Sequence, residues 1–196
     1  MGKIILDLCG GTGAWSNPYK EAGYDVRLIT LPEQDVFAYN PPEHVYGILA
    51  APTCTMFSLA RTTAKTPRDF AEGMKLVKAC LDIIWRCRSR EPLAFWALEN
   101  PMGYLRQFLG KPALTFNPFE YGDTYTKKTD LWGYFNEPKK APREMTPEEI
   151  AACKINSRKL PDLPDGYCLP DGWNVTAAKR SMTSAYFAKA FFKANR

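Results

Sequence analysis

The first eighteen residues constrain the fold of this chain more than any other stretch. Residues 3–8 form an apolar run that predicts a β-strand, and residues 9–14 follow as a tight turn with three glycines. Asn17 and Pro18 suit the N-cap and the first position of a helix. A strand, a glycine turn and a helix in this order predict an α/β fold that binds a nucleotide-type ligand, with a glycine-rich hairpin or a plain loop as the alternative. Because Ser16 stands where the dinucleotide fingerprint has its third glycine, a nicotinamide cofactor is not favoured.

A second strand is predicted over residues 23–30, and Leu31-Pro32 follows it. Folds of this type often place a carboxylate just after this strand, where it binds a ribose. Glu33 and Asp35 are the nearest carboxylates, and either could instead be a solvated loop charge.

A third apolar run begins near Ile48 and ends at Pro52, and a single cysteine, Cys54, follows it. Pro52 lacks the N–H that a central strand needs, so the run predicts a buried strand that leaves its sheet at this point. Ligands of open parallel sheets bind outside the carboxyl ends of the strands, which makes Cys54 a candidate nucleophile. The alternative is a small buried hydrophobic residue, since free cysteine is among the most buried residue types.

Residues 92–98 form a nearly unbroken apolar run, which is typical of a parallel strand covered on both faces. The run ends at Glu99-Asn100-Pro101. A carboxylate at the carboxyl end of a buried strand can have a raised pKa and can exchange a proton with a ligand. A loop acid or a helix cap is the alternative for Glu99.

Two long helices are predicted from caps and periodicity. Thr66 and Pro67 suit the N-cap and first turn of the first helix. Its apolar face is expected to pack against the core. Cys80 and Cys87 lie on a neighbouring face and are interpreted as structural. The second helix runs from Met182 to Ala194. The apolar face of the first helix consists of Phe70, Met74, Val77, Leu81 and Ile84.

The second half of the chain is polar, basic and rich in proline. Residues 119–135 form a basic loop that runs into an aromatic strand, a pattern that suits phosphates and bases, although ordinary strand-edge chemistry explains it nearly as well. Residues 136–179 contain six prolines, which argues against long regular elements apart from a short helix at 146–153.

Composition narrows the functional classes. The formal net charge of +5 is compatible with a polyanionic partner. Six cysteines without a Cys-x-x-Cys pair and a single histidine argue against a zinc site and a disulfide framework. No stretch approaches the ~20 apolar residues of a membrane span, and the N-terminus lacks a signal-peptide pattern. We therefore expect a cytoplasmic protein with no metal and no membrane partner.

Three motifs resemble those of one enzyme family. Asp-Leu-Phe-x-Gly-x-Gly is similar to Asp7-Leu8-Cys9-Gly10-Gly11-Thr12-Gly13, and Pro-Pro-Cys-Gln-x-Phe-Ser is similar to residues 52–58, where Pro52, Cys54, Phe57 and Ser58 match. Glu-Asn-Val appears as Glu99-Asn100-Pro101. The chain resembles the cytosine-C5 DNA methyltransferases, most closely their small, phage-type members, which would place it in the host cytoplasm.

The resemblance implies a Rossmann-like S-adenosylmethionine-dependent methyltransferase fold, with a mostly parallel sheet flanked by helices. It divides the chain into a catalytic core at 1–135, a short proline-rich insertion at 136–179 in place of a target-recognition domain, and a closing helix at 180–196. It implies S-adenosylmethionine as the cofactor, bound by Asp7, Leu8, Cys9, Gly10, Gly11, Thr12, Gly13, Trp15, Asp35 and Pro52.

The resemblance also implies methylation of cytosine C5 in double- or single-stranded DNA. Cys54 would add to C6 of the base, Glu99 would protonate N3, and Lys127, in place of a family arginine, would support the base as a third catalytic residue. Since C6 is buried in the duplex stack, the base must be flipped out or presented on a single strand. Substrate contacts are implied for Pro52, Ser58, Asn100, Pro101, Lys127, Lys128 and Thr129.

Two departures from the family pattern lead to further expectations. Thr129 stands where the family has a second arginine, and only 44 residues, 136–179, occupy the place of a target-recognition domain. Target selection is therefore predicted to be loose. Two alternatives remain: a degenerate member that serves as a nucleic-acid-binding or regulatory module, and an enzyme that acts on RNA or on a free pyrimidine nucleotide.

Overall fold

The computed structural model describes residues 2–62, 64–144, 146, 148, 160–169 and 173–196. Most of the predicted short helix at 146–153 lies outside these residues. The strands are β1 (Ile4–Leu8), β2 (Asp25–Ile29), β3 (Val45–Ala50), β4 (Phe95–Pro101), β5 (Leu114–Phe116) and β6 (Thr129–Tyr134). The helices are α1 (Asn17–Glu21), α2 (Phe70–Arg90), α3 (Arg106–Leu109), α4 (Val175–Ser181) and α5 (Ala185–Ala194), with a 3₁₀ turn at Pro118–Tyr121.

The six strands form one mixed sheet in the order β2-β1-β3-β4-β6-β5. Strands β2, β1, β3 and β4 are parallel, whereas β6 runs antiparallel to both of its neighbours. The prediction of an α/β fold with a mostly parallel sheet flanked by helices is therefore confirmed. The antiparallel insertion of β6 and the short strand β5 were not predicted.

Helices cover both faces of the sheet because side chains alternate along each strand. Leu6 and Leu8 point to the face covered by α2, where Val77 and its neighbours pack. Ile5 lies on the opposite face, in a core shared with α1 and α5. Phe187 of α5 belongs to that core, so the last helix packs against the same face of the sheet as the first helix.

The helix caps differ from the predicted ones. Helix α2 begins at Phe70, because Asp69 accepts a hydrogen bond from the Glu72 N–H at 2.8 Å and is the N-cap; the expected cap at Thr66 is wrong. The N-cap of α1 is Ser16 rather than Asn17. The predicted closing helix from Met182 is shorter, since the Ser184 hydroxyl caps α5 by accepting from the Phe187 N–H.

The chain changes direction across the sheet between β1 and β3. From β1 it crosses to β2 on one side and then returns to β3 on the other. Such a switch point leaves a crevice outside the carboxyl ends of the two strands, where ligands of open α/β sheets bind. Strand β4 ends and β6 begins at the same edge, because Pro101 pairs with Thr129. In the described part of the chain, no helix is both long enough and apolar enough to cross a lipid bilayer.

Candidate active site

A cleft of about 1330 Å³ runs along this edge of the sheet. Its walls are the loops that follow β2, β1, β3 and β4, together with the residues just before β6 and the segment around α4. Small-molecule sites usually measure about 300–1,000 Å³. The cleft is therefore large enough for two ligands side by side.

Most of the residues predicted to bind cofactor or substrate lie on the walls of this one cleft. They come from five segments that are far apart in sequence, each a strand end or the loop beside it, and the sheet edge brings them together. They are Asp7, Cys9, Gly10, Gly11, Thr12, Trp15, Asp35, Pro52, Cys54, Ser58, Glu99, Pro101, Lys127 and Lys128.

Four predicted residues lie behind the walls, where they position their neighbours. Leu8 is fully buried in the core beneath the sheet edge. Gly13, at φ +70°, closes the glycine turn by donating its N–H to the Gly10 carbonyl. The Asn100 side chain donates to the Pro52 carbonyl at 2.9 Å, and the Thr129 hydroxyl donates to the Lys127 carbonyl at 2.7 Å. Thr129 thus fixes the lysine and does not face the cleft.

Cys54, Glu99 and Lys127 form a cluster of reactive groups in the cleft. The Lys127 ammonium lies 3.7 Å from a carboxylate oxygen of Glu99, and both side chains are nearly buried, at 12% and 8% exposed. Cys54 starts a helical turn in which its carbonyl accepts from the Phe57 and Ser58 N–H groups. This turn leaves the Cys54 thiol on the cleft wall, partly exposed.

Burial and the nearby charges shift the ionisation of these groups. Burial raises the pKa of the Cys54 thiol; Lys127 opposes this shift and Glu99 adds to it. Burial also raises the pKa of Glu99, again with Lys127 acting in the opposite direction. A carboxyl group with a raised pKa can keep its proton until a ligand takes it, as a general acid must.

Arg68 holds the loop that carries Cys54. Its guanidinium donates to the carbonyls of Met56 at 2.8 Å and Ser58 at 2.9 Å, and it stacks on the Tyr104 ring at 4.9 Å. The Tyr104 N–H in turn donates to the Phe57 carbonyl at 2.9 Å. This role of Arg68 was not predicted, because nothing in the neighbouring sequence shows that its side chain reaches back to residues 56–58.

Asp7 lies beneath the glycine turn. Burial raises its pKa to about 6, although the Ser16 hydroxyl donates to its Oδ2 atom at 2.5 Å. A β-carbon on Gly10 would lie 2.3 Å from the Asp7 Cγ atom, so only glycine fits there. Among the described residues, the Asp7 Oδ1 and Trp15 Nε1 atoms are buried without a hydrogen-bond partner. Both residues line the cleft, and buried polar atoms of this kind require a partner.

The loop after β2 supplies the other wall near the glycine turn. Asp35 is exposed, and its carboxylate accepts from the Phe37 N–H at 2.9 Å. Ile29 and Val36 are buried beside it, and Phe37 is 62% exposed. This combination of one carboxylate and apolar side chains suits a ribose and a heterocyclic ring.

The segment around α4 also contributes to this cleft, which was not predicted from the sequence. Residues 167–169, Trp173 and residues 180–183 also line it. The sequence Pro164-Asp165-Gly166 predicts a turn just before Tyr167. A turn signal does not show which part of the fold Tyr167 approaches.

No family model matches the chain, and neither does any curated protein. The described residues contain no group of three or more His, Cys, Asp or Glu side chains placed to hold a metal ion.

Proposed function

We propose that this protein transfers a methyl group from S-adenosylmethionine to C5 of cytosine in DNA, through a covalent bond between Cys54 and C6. The observation that carries the proposal is the shared cleft. It joins a thiol, a buried carboxyl group and a lysine to a glycine turn with unpartnered polar atoms.

The residues around the glycine turn fit the cofactor. Asp7 offers a free acceptor oxygen, which suits the ammonium group of the methionine part, and the Trp15 N–H suits its carboxylate. Asp35 and the apolar residues beside it suit the ribose and adenine. When bound, S-adenosylmethionine supplies an electrophilic methyl group, which an unactivated C5 carbon cannot accept.

Cys54 would activate the base. Its thiol loses a proton to solvent, the sulfur forms a bond to C6 while N3 takes a proton from Glu99, and the electron pair of the C5–C6 double bond moves so that C5 becomes nucleophilic. C5 would then take the methyl group, with S-adenosylhomocysteine as the leaving group. The C5 proton leaves to a base, the sulfur–C6 bond breaks, N3 returns its proton to Glu99, and the thiolate is regenerated. Because burial raises the pKa of Cys54, the nearby Lys127 charge is needed to favour the thiolate.

Glu99 would provide the proton that thiolate addition requires. Protonation of N3 neutralises the negative charge that develops in the ring as sulfur attacks C6. The raised pKa of Glu99 suits this role. The positive charge of Lys127, 3.7 Å from Glu99, acts to lower the pKa of Glu99 against the effect of burial. The carboxyl group can therefore also give up its proton.

Basic residues on the cleft wall favour a nucleic acid over an uncharged substrate. Lys128 and Arg180 line the cleft, and their positive charges suit phosphates. The choice of DNA among nucleic acids rests on the resemblance of the motifs. Charges of this kind position a nucleic acid but do not read its sequence, which supports loose target selection.

The direct test is transfer of labelled methyl to DNA, RNA and dCMP in parallel. We expect incorporation into DNA that is lost in Cys54→Ala. Incorporation into RNA or dCMP alone would keep the chemistry but change the substrate. Binding of cofactor and DNA without transfer to any of the three would favour a regulatory module.

A further inference from the structure

The insertion at residues 136–179 contributes a described segment, residues 160–169, that approaches the cleft. The resemblance places this segment where the family carries its target-recognition domain. Its position in the fold points to a different role.

A tight turn fixes the direction of this segment. The Tyr167 N–H donates to the Pro164 carbonyl at 3.1 Å, and Gly166 between them has φ +75°. A positive φ at the third position of a turn favours glycine, which this sequence provides. The turn therefore determines where the Tyr167 ring projects.

Two further observations relate this segment to the rest of the fold. Leu160 is buried, at 8% exposed. The Lys179 ammonium of α4 lies 2.5 Å from a carboxylate oxygen of Asp162, whose side chain is 95% exposed. Because an exposed ion pair contributes little stability, the burial of Leu160 is the stronger sign that the segment packs against the fold.

Tyr167 lies at the glycine-turn end of the cleft. A β-carbon placed on Gly11 would lie 3.8 Å from the Tyr167 hydroxyl oxygen. The charge of Glu33, in the loop after β2, is close enough to raise the pKa of Tyr167 beyond the effect of burial. Tyr167 therefore lies near the loops after both β1 and β2, which flank the space assigned above to the cofactor.

We infer that Tyr167 is a cofactor-binding residue, and that this part of the insertion closes the S-adenosylmethionine subsite instead of reading DNA. The inference rests on the proposed function. The aromatic ring supplies a flat surface for the adenosyl group, and the hydroxyl group supplies a donor for its polar atoms. Trp173 lines the same cleft.

Calorimetry tests this inference by measuring how tightly S-adenosylhomocysteine binds to four proteins. They are wild type, Tyr167→Ala, Tyr167→Phe and Tyr134→Ala. Tyr134 is the matched control, because it is exposed on β6 and pairs with Trp96, away from the cleft edge of the sheet. DNA affinity is measured for the same four proteins, and thermal melting checks that each is folded.

Loss of an aromatic stacking surface weakens base binding by about 1–3 kcal/mol, so we expect Tyr167→Ala to raise the Kd about 5- to 150-fold. Tyr167→Phe should recover most of that affinity, and Tyr134→Ala should behave like wild type. DNA affinity should stay within about twofold in all four proteins.

Two other results are distinguishable. If wild type and Tyr167→Ala bind S-adenosylhomocysteine equally well, the inference is wrong but the proposed function stands. If Tyr167→Ala loses only its affinity for DNA, the inference is also wrong, and the segment contacts DNA instead. If folded wild type does not bind S-adenosylhomocysteine at millimolar concentration, the proposed function fails and the inference with it.

Discussion

Replacement of Asp7 by asparagine tests the electrostatics beneath the glycine turn. Burial raises the pKa of Asp7 from its ordinary value of 3.8 to about 6. Between these values the folded protein binds more protons than the unfolded chain, so this group makes stability fall as the pH rises through that window. The difference of about two pKa units, at about 1.36 kcal/mol each, amounts to about 3 kcal/mol that is fully expressed by pH 7.

Asparagine keeps the shape of Asp7 and an acceptor for the Ser16 hydroxyl, but it cannot ionise. About 0.6 kcal/mol of this effect is already expressed at pH 4, so we expect the free energy of unfolding of Asp7→Asn, relative to wild type, to be about 2.4 kcal/mol more favourable at pH 7 than at pH 4. Urea unfolding followed by circular dichroism at pH 4, 5, 6 and 7 measures this difference, and comparison at each pH cancels the contributions of other groups.

Asp82→Asn is the control, because Asp82 is an exposed carboxylate on α2 that pairs only with Lys78 in the described structure. Its relative stability should change by less than about 1 kcal/mol over the same range. The free energy of unfolding of Asp7→Asn minus that of wild type could instead be the same at pH 4 and at pH 7. That result would refute the argument that ionisation of Asp7 destabilises the folded protein.

Four other predictions have defined outcomes. Asp7→Asn should weaken S-adenosylhomocysteine binding about 10-fold or more in calorimetry, since a hydrogen bond to a charged group is worth about 1.5–3 kcal/mol. Gly10→Ala should destabilise the protein by about 1–3 kcal/mol in urea unfolding, because its β-carbon would lie 2.3 Å from Asp7, whereas Gly2→Ala, with 3.8 Å of room, should be tolerated. Glu99→Gln should lower kcat about 100- to 10,000-fold in the methyl-transfer assay while S-adenosylhomocysteine affinity stays unchanged. Bisulfite sequencing should find methylation in many cytosine contexts, and a single site of four or more fixed base pairs would contradict loose selection.

The fold was predictable from sequence where local pattern and packing agree. The apolar runs that became β1, β3 and β4 are buried on both faces, so their composition alone marks them as central strands. The antiparallel course of β6 could not be read in this way, because strand direction depends on the path of the connection and not on residues 129–134 themselves.

The candidate site was predictable for the loops that follow strands. Cys54 and Glu99 each stand just past an apolar run, and parallel strands that end together bring such residues to one edge. Tyr167 and Arg68 could not be placed, because each reaches the site through contacts with residues distant in sequence or around a turn. The later start of α5 was missed for a similar reason, since its N-cap, Ser184, also donates to the Asp123 carboxylate, which residues 180–186 cannot reveal.

The most direct test of the proposed chemistry is covalent trapping on DNA that contains 5-fluorocytosine. Fluorine at C5 cannot leave as a proton does, so the Cys54–C6 bond should persist and a protein–DNA adduct should survive denaturation. Among the cysteines that the structure describes, Cys9, Cys54 and Cys168 line the cleft, which provides matched variants. We expect trapping by wild type, Cys9→Ser and Cys168→Ser in the presence of S-adenosylmethionine, none by Cys54→Ser, and peptide mapping of the adduct to Cys54. An adduct on another cysteine, or none with folded wild type that binds both cofactor and DNA, would contradict the assignment of Cys54 as the nucleophile.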